Sequence, residues 1–188
     1  VAGPRRVAND PERRERIVAA ALDVIVENGV HRTTHRRIAA AAGVPLGSLT
    51  YYFADLTEII EAAFRHVFVT WSGDMHRALE QARSPEQAQT VVVDMICGVT
   101  HASTPEIIGL FELYSFGNHN AAVGAIRRDW LLATRESLML HFTEPTVRAL
   151  DALIEGWPMH RVFEGEPLDR DLVERTVKAV VEALEPGS

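Results

Sequence analysis

The sequence predicts an all-α fold of about nine helices, on three observations. Apolar residues recur three and four positions apart, as in Val18, Ala21, Leu22 and Ile25, a spacing that gathers them on one helical face. A capping residue followed by proline recurs at Asp10-Pro11, Ser84-Pro85 and Thr104-Pro105. There the side-chain oxygen takes a free helix N–H and the proline lacks the N–H that would go unpaired. No convincing β-hairpin signal, internal repeat or low-complexity stretch occurs.

Residues 1–9, with Arg5 and Arg6, read as a mobile arm. The first helix starts at Asp10-Pro11 and runs to about Asn28, with Gly29 past its end; Arg16, Asp23 and Glu27 lie opposite its apolar face. Thr34 can cap a second helix running to about Ala41, and Gly43 follows it, where a left-handed conformation is cheap. Residues 39–42 are all alanine, so a neighbouring helix can approach closely. Pro45 and Gly47 open a third, very short helix ending near Tyr52. Two short helices joined this way form a helix-turn-helix, whose second helix enters the major groove of DNA. The first helix should pack across the pair and complete a three-helix domain.

A long helix follows over residues 55–83, opened by Asp55 with Glu58 at capping-box spacing. Its apolar stripe is Ile60, Phe64, Val67, Phe68, Trp71, Met75 and Leu79. No linker separates it from the DNA-reading part, so its movement would carry the reading helix. Further helices are expected over 85–101 and 105–116, from the break at 117–120 to about Phe142, and over 146–163 and 169–185. Pro158 should bend or end the eighth, because proline restricts the residue before it.

The 188 residues suffice for one compact unit or two small ones sharing a core. The single Cys97 excludes an internal disulfide framework and a multi-cysteine zinc site. No apolar run approaches the length of a membrane span and the N-terminus lacks a secretion-signal core, so a cytoplasmic location is expected. Net charge is −7, unfavourable for a DNA binder until its distribution is considered. Residues 1–53 hold eight Arg against five Asp or Glu, a balance of +3, while residues 54–188 carry −10. Phosphate attraction follows the local field, and the positive charge lies with the motif.

Thr34, Ile38-Ala39, Ala42-Gly43-Val44, Gly47-Ser48-Leu49 and Tyr51-Tyr52-Phe53 follow one another in a pattern that resembles the DNA-binding signature of the TetR family, the tetracycline-repressor-like bacterial regulators. The match covers roughly the first 50 residues; the rest is similar in length and helical pattern. Two positions depart from it: Thr50 stands where the family often has its first aromatic, and Leu56 where it often has a phosphate-touching Lys. The resemblance implies two domains, an arm and helix-turn-helix DNA-binding domain over 1–53 and a helical effector-binding and dimerisation domain over 54–188.

Three surfaces are expected to carry function. At the reading head, Arg36 and Arg37 can reach phosphate or a base edge, and Leu46, Ser48 and Thr50 lie on or near the helix that Pro45 and Gly47 open. The resemblance adds phosphate contacts from Thr34 and backbone anchoring by the Tyr51 and Tyr52 hydroxyls; the alternative is that Tyr52 and Phe53 are core residues holding the short helix against the first. The second surface is a homodimer interface. Val147, Leu150, Ile154 and Trp157 recur at helical spacing, as do Val173, Val177, Val180, Val181 and Leu184. These stripes could cover the subunit's own core or pair with a second chain; the resemblance implies a four-helix bundle between copies. The third surface, implied by the resemblance, is a pocket for an unidentified small molecule. Phe68, Trp71, Met75, Met95, Val99, Phe111, Tyr114 and Trp130 are candidate lining residues, with polar contacts available from His101, Glu112, Asn118 and His119.

Eight histidines invite a metal hypothesis, but no His-Glu-x-x-His or compact His/Cys/Asp grouping occurs. No phosphate-cradling loop or Gly-x-Ser-x-Gly is present, and Cys97 sits in an apolar run that favours an inert thiol. Neither cofactor nor catalysis is expected. The expected function is a sequence-specific regulator of transcription, a repressor released from a palindromic operator by a small molecule. An effector-free DNA-binding protein or a protein-interaction module on the same fold is the alternative.

Overall fold

The computed structural model describes residues 11–98 and 104–186. Nine α-helices are found among them: α1 (Pro11–Asn28), α2 (His35–Ala42), α3 (Leu46–Tyr52), α4 (Leu56–Gln81), α5 (Pro85–Ile96), α6 (Thr104–Gly117), α7 (Ala121–Leu138), α8 (Glu144–Glu164) and α9 (Arg170–Leu184), with a 3-10 turn at Val30–Arg32. No strand occurs among the described residues. The arm at residues 1–9, Val99 and His101 lie outside them. Two compact units are present, Val1–His66 and Val67–Ser188, dividing within α4.

In the first unit α1 packs against α2, and α2 against α3. Ile17, Val18, Ala21, Val24 and Ile25 of α1 are buried, as are Ile38, Ala39, Leu49 and Phe53. The first half of α4 adds Ile59, Ile60, Ala63 and Phe64. The caps set the helix directions. Thr34 Oγ1 accepts the Arg37 N–H at 3.3 Å, and Gly43, at φ 63°, closes α2 by donating to the Ala39 and Ala40 carbonyls. At the start of α4, Asp55 Oδ1 accepts the Glu58 N–H at 2.9 Å while Glu58 Oε2 takes the Ala54 N–H at 2.5 Å. This is a capping box displaced by one residue, satisfying two donors that helix formation leaves open.

In the second unit α5 lies against α8 and α9, and α6 against α7 and α8. One apolar cluster joins Met75, Leu79, Val92, Val93, Ile96, Leu138 and Phe142 to Val147, Leu150, Val173, Val177 and Val181. The close approach of α6 and α7 requires glycine: a Cβ on Gly124 would stand 3.0 Å from the Gly117 carbonyl oxygen.

Helix ends differ from expectation in two places, α5 and α7. α5 stops at Ile96, because Gly98 takes φ 71° and its N–H turns back to Met95. α7 stops at Leu138, where the N–H groups of Leu140 and His141 close tighter turns on Ser137 and Leu138, and His141 Nε2 is held 2.8 Å from the Leu79 carbonyl. α8 matches the expected 146–163 span, running through Pro158 to Glu164 and burying the proline ring. The lost backbone bond is tolerated in a helix anchored by buried Val147 and Leu150.

Candidate DNA-reading surface and effector cavity

The geometry of α3 separates anchoring from presenting residues. Leu49 is fully buried and Phe53 nearly so, with the Arg14 guanidinium carbon 5.0 Å from the Phe53 ring centroid. These fix the helix on its base. On the other side Leu46 is 47% exposed and Tyr51 59% exposed, with Gly47 and Thr50 also open. Ser48 and Tyr52 are half-buried, and the Tyr52 ring meets Tyr51 edge-on at 4.9 Å. Pro45 caps the helix with φ −58°. A helix anchored on one side and presenting apolar, hydroxyl and phenol groups on the other suits a DNA groove.

Hydrogen bonding further assigns these groups. The Thr50 hydroxyl donates to the Gly47 carbonyl at 3.1 Å, leaving its oxygen free to accept. A phosphate offers no proton, so Thr50 in this rotamer suits a base amino group or a thymine methyl better than the backbone. Arg37 Nη1 donates to Asn28 Oδ1 at 2.5 Å, tying α2 to the end of α1, while Arg36 is exposed. Thr34 is exposed although its oxygen is engaged as a cap. Leu56 is the first residue of α4.

The second unit holds a cavity of about 60 Å³ lined by Trp71, Ser72, Met75, Met95, Ile107, Leu110, Tyr114, Trp130, Thr134, Ile154, Glu155 and Pro158. Trp71, Met75, Met95, Tyr114 and Trp130 were expected there. Phe68 and Phe111 are not among the lining residues. Phe68 lies behind the wall, its ring 6.1 Å from Trp130, and Phe111 stacks flat on Phe163 at 5.2 Å. Of the polar candidates, Asn118 instead accepts from Arg127 Nη1 at 3.0 Å. Glu155 was missed: nothing in an isolated Ile-Glu-Gly segment marks a carboxylate as a pocket residue. As a whole residue Glu155 is exposed, although it borders the cavity. Even so, burial raises its carboxyl above the usual range, Asp151 adding to the rise and a hydrogen bond with Tyr114 opposing it. Burial likewise raises the Tyr114 phenol, with help from Glu155, so it stays protonated. One helical turn earlier, Asp151 is 3% exposed, and Arg135 Nε donates to its Oδ2 at 2.9 Å while Oδ1 is buried without a partner.

The expected dimer stripes require correction. Val147, Leu150, Val173, Val177 and Val181 are buried in the subunit's own core, while Ile154, Trp157 and Val180 pack against it and stay partly exposed. Ile154 also lines the cavity. Leu184 is 40% exposed. A different flank of each helix is open. Ala149, Leu153, Gly156, His160 and Phe163 recur at alternating four- and three-residue spacing on α8, and Leu172, Thr176, Ala179 and Ala183 do so on α9, all half-buried or exposed. That spacing places each set on one face of its helix.

Among the described residues no cluster of His, Cys, Asp and Glu could hold a metal ion, and no helix is long and apolar enough to cross a membrane. Burial raises the Cys97 thiol, which disfavours a reactive thiolate.

Comparison with known proteins places this arrangement. The sequence model described as bacterial regulatory proteins, tetR family, matches residues 17–63, spanning α2, α3 and their supports. The chain is similar to the HTH-type transcriptional regulator BetI of Burkholderia mallei (strain NCTC 10229), 28% identical over 166 residues that cover 84% of this chain and 85% of BetI. It is 36% identical to SCO7518 of Streptomyces coelicolor A3(2), described as a transcriptional regulator, with a TM-score of 0.80 over 91% of this chain and 99% of that one. The multidrug binding protein EbrR, solved with imidazole, is 27% identical with a TM-score of 0.72, over 95% of this chain and 99% of its own. A reading helix on a buried base, a separate helical unit with its own cavity, and these likenesses agree: the chain belongs to the tetR family of bacterial transcriptional regulators.

Proposed function

We propose that the protein is a homodimeric repressor that binds a palindromic operator through α2 and α3 and leaves it when a small organic molecule enters the α4–α8 cavity. The observation that carries the DNA reading is the division of α3 into a buried base (Leu49, with Phe53 after it) and an open face (Leu46, Gly47, Thr50, Tyr51). Two copies related by a two-fold axis present two such faces to half-sites a whole number of helical turns apart. The open flanks of α8 and α9 are the proposed interface. The functional division at 1–53 and 54–188 assigns reading to the helix-turn-helix and response to the rest, with α4 belonging to both compact units.

The effector reading rests on the cavity and on the likeness to EbrR, which was also solved with ethidium and with malachite green. Small-molecule pockets usually enclose roughly 300–1,000 Å³, far more than this cavity holds. A ligand must therefore push its walls apart. Trp71, Ser72 and Met75 lie on α4, so displacement there is applied to the helix that begins beside the reading head. Moving occupancy from 1:99 to 99:1 requires a differential affinity of about 5.5 kcal/mol between the two conformers.

Selection of genomic fragments by purified protein at about 50 mM salt, repeated at higher salt, tests DNA reading. Recovery of one palindromic site that persists as salt rises is the expected result; fragments without a shared motif would overturn it. The small volume of the cavity favours one alternative, a regulator with no effector. Operator binding unaffected by every compound that enters the cavity would establish it.

A further inference from the structure

The end of α1 and the start of α2 are joined through one amide. Asn28, the last residue of α1, donates from Nδ2 to the Val24 carbonyl at 3.1 Å and to Glu27 Oε2 at 3.4 Å. Both amide hydrogens are then placed. Oδ1 turns to Arg37, whose Nη1 donates to it at 2.5 Å. The flipped amide would set its oxygen against a carbonyl and a carboxylate, and its NH2 group against guanidinium donors, so the orientation is fixed.

The tether leaves Arg37 ready for an anion. A guanidinium is a planar fork of N–H donors, and the edge formed by Nε and Nη2 matches two oxygens of one phosphate. The bond to Asn28 uses Nη1 and is the guanidinium's only hydrogen bond among the described residues, and Arg37 is exposed. The amide oxygen is neutral, so it orients the group without cancelling its charge, as a carboxylate would. Glu27, the nearest carboxylate in sequence, bonds to Asn28 rather than to Arg37. Residues 28–54 hold Arg32, Arg36 and Arg37 and no Asp or Glu. Arg37 also lies in the first turn of α2, where the helix end adds positive field. A free Arg side chain gives up rotamer freedom when it docks; one already held gives up less.

Accepting the operator reading, we propose that Asn28 is a positioning residue for DNA binding, holding Arg37 as a pre-ordered clamp on one backbone phosphate. A phosphate contact carries no base information, so Asn28 raises affinity for every operator sequence alike.

Operator titrations of wild type, Asn28→Ala, Arg37→Ala and the double variant, each over a range of salt, test this. Arg37→Ala is expected to lower affinity about tenfold for all single-base operator variants alike and to flatten the log–log salt slope by about 0.9. Asn28→Ala is expected to lower affinity about threefold and to keep the slope, since the charge remains. In the Arg37→Ala background the same change at Asn28 is expected to have no effect, because nothing is left to position. An equal loss in both backgrounds would show that Asn28 merely ends α1 and would overturn the proposal; so would wild-type affinity in Arg37→Ala. Asn28→Asp decides the matter if Asn28→Ala does not fold. It keeps an oxygen beside Arg37 and cancels the charge, so binding weaker by about tenfold with a slope flattened by about 0.9 is expected; wild-type behaviour would overturn the proposal. A wild-type protein that selects no palindromic site refutes the operator reading itself. Wild-type selection of such a site together with any of the overturning results refutes the role of Asn28 alone.

Discussion

Arg135 and Asp151 show what a single ion pair contributes inside the second unit. Burial raises the Asp151 carboxyl above its ordinary value, and Arg135 restrains the rise through a hydrogen bond and its charge. A carboxyl raised in the folded state opposes folding when ionised; the penalty is complete above the folded pKa and is relieved as pH falls through it. Arg135→Leu removes the restraint. It should cost about 2 kcal/mol at pH 7 and less at pH 5, because the unpaired Asp151 then takes up a proton. Urea unfolding of wild type and variant at the two pH values measures the difference; an equal cost at both would show that Arg135 acts through packing alone. At the reading head, chemistry of the same kind divides two neighbours. Tyr51 is exposed and meets the Tyr52 ring edge-on, so Tyr51→Phe should lower affinity about fivefold for all operator variants alike, as loss of a phosphate contact does. Thr50, whose proton is spent on Gly47, should behave differently: Thr50→Ala should relax preference at one base position. Titration against a set of single-base operator variants separates the two patterns, and uniform loss for Thr50→Ala would place that hydroxyl on phosphate.

At the scale of elements, the two glycines of the helix-turn-helix serve different ends. Gly43 has open space around it but a φ of 63°, so Gly43→Ala costs only backbone strain, about 1 kcal/mol. Gly47 has neither positive φ nor a neighbour within 4 Å of an added Cβ. Its Gly-to-Ala change should stabilise the free protein by about 0.5–1 kcal/mol through helix propensity. If α3 enters the groove with Gly47 close to DNA, that same methyl should weaken operator binding. A variant that melts higher and binds DNA worse would identify Gly47 as a close-approach site; unchanged binding would turn that edge of α3 away from DNA. The helix-turn-helix was legible in the sequence because its signals are local: the Thr34 cap, the left-handed Gly43, and the run from Gly47-Ser48-Leu49 to Tyr51-Tyr52-Phe53. The C-terminal ends of α5 and α7 were less legible for different reasons. Gly98 was a local stop signal within a run read as continuous helix, whereas α7 ends in a segment with no Gly or Pro, where His141 is held by the Leu79 carbonyl from 62 residues away. Pro158, a strong local breaker, leaves α8 unbroken, because that helix packs on α5, α6, α7 and α9.

For the whole molecule, the question of what α8 and α9 face could not be answered by periodicity. An apolar stripe at helical spacing looks alike whether it covers the subunit's core or a partner. Val173, Val177 and Val181 turned out to be core, which means that a charge at Val177, fully buried, would unfold the unit rather than split a dimer. The seam left open is made of small side chains: Ala149 and Gly156 on α8, Ala179 and Ala183 on α9. Small residues let helix backbones approach closely, and an added Cβ at Gly156 meets nothing within 4 Å in the lone subunit. Ala179→Glu tests whether a second copy fills that space. In an isolated subunit the new carboxylate points into solvent and should change stability by no more than about 0.5 kcal/mol. In a two-fold interface it enters twice, close to its own symmetry mate, where two unpaired charges are costly to bury. The expected result is a protein of unchanged helicity that sediments as a monomer and binds a palindromic operator far more weakly, while retaining half-site affinity at low salt. Because two heads joined in one particle bind with a large effective concentration, loss of the dimer should cost at least about a hundredfold in operator affinity. A variant that remains dimeric would move the interface off this flank, and one that is monomeric yet binds the full operator as tightly as wild type would remove the need for paired heads.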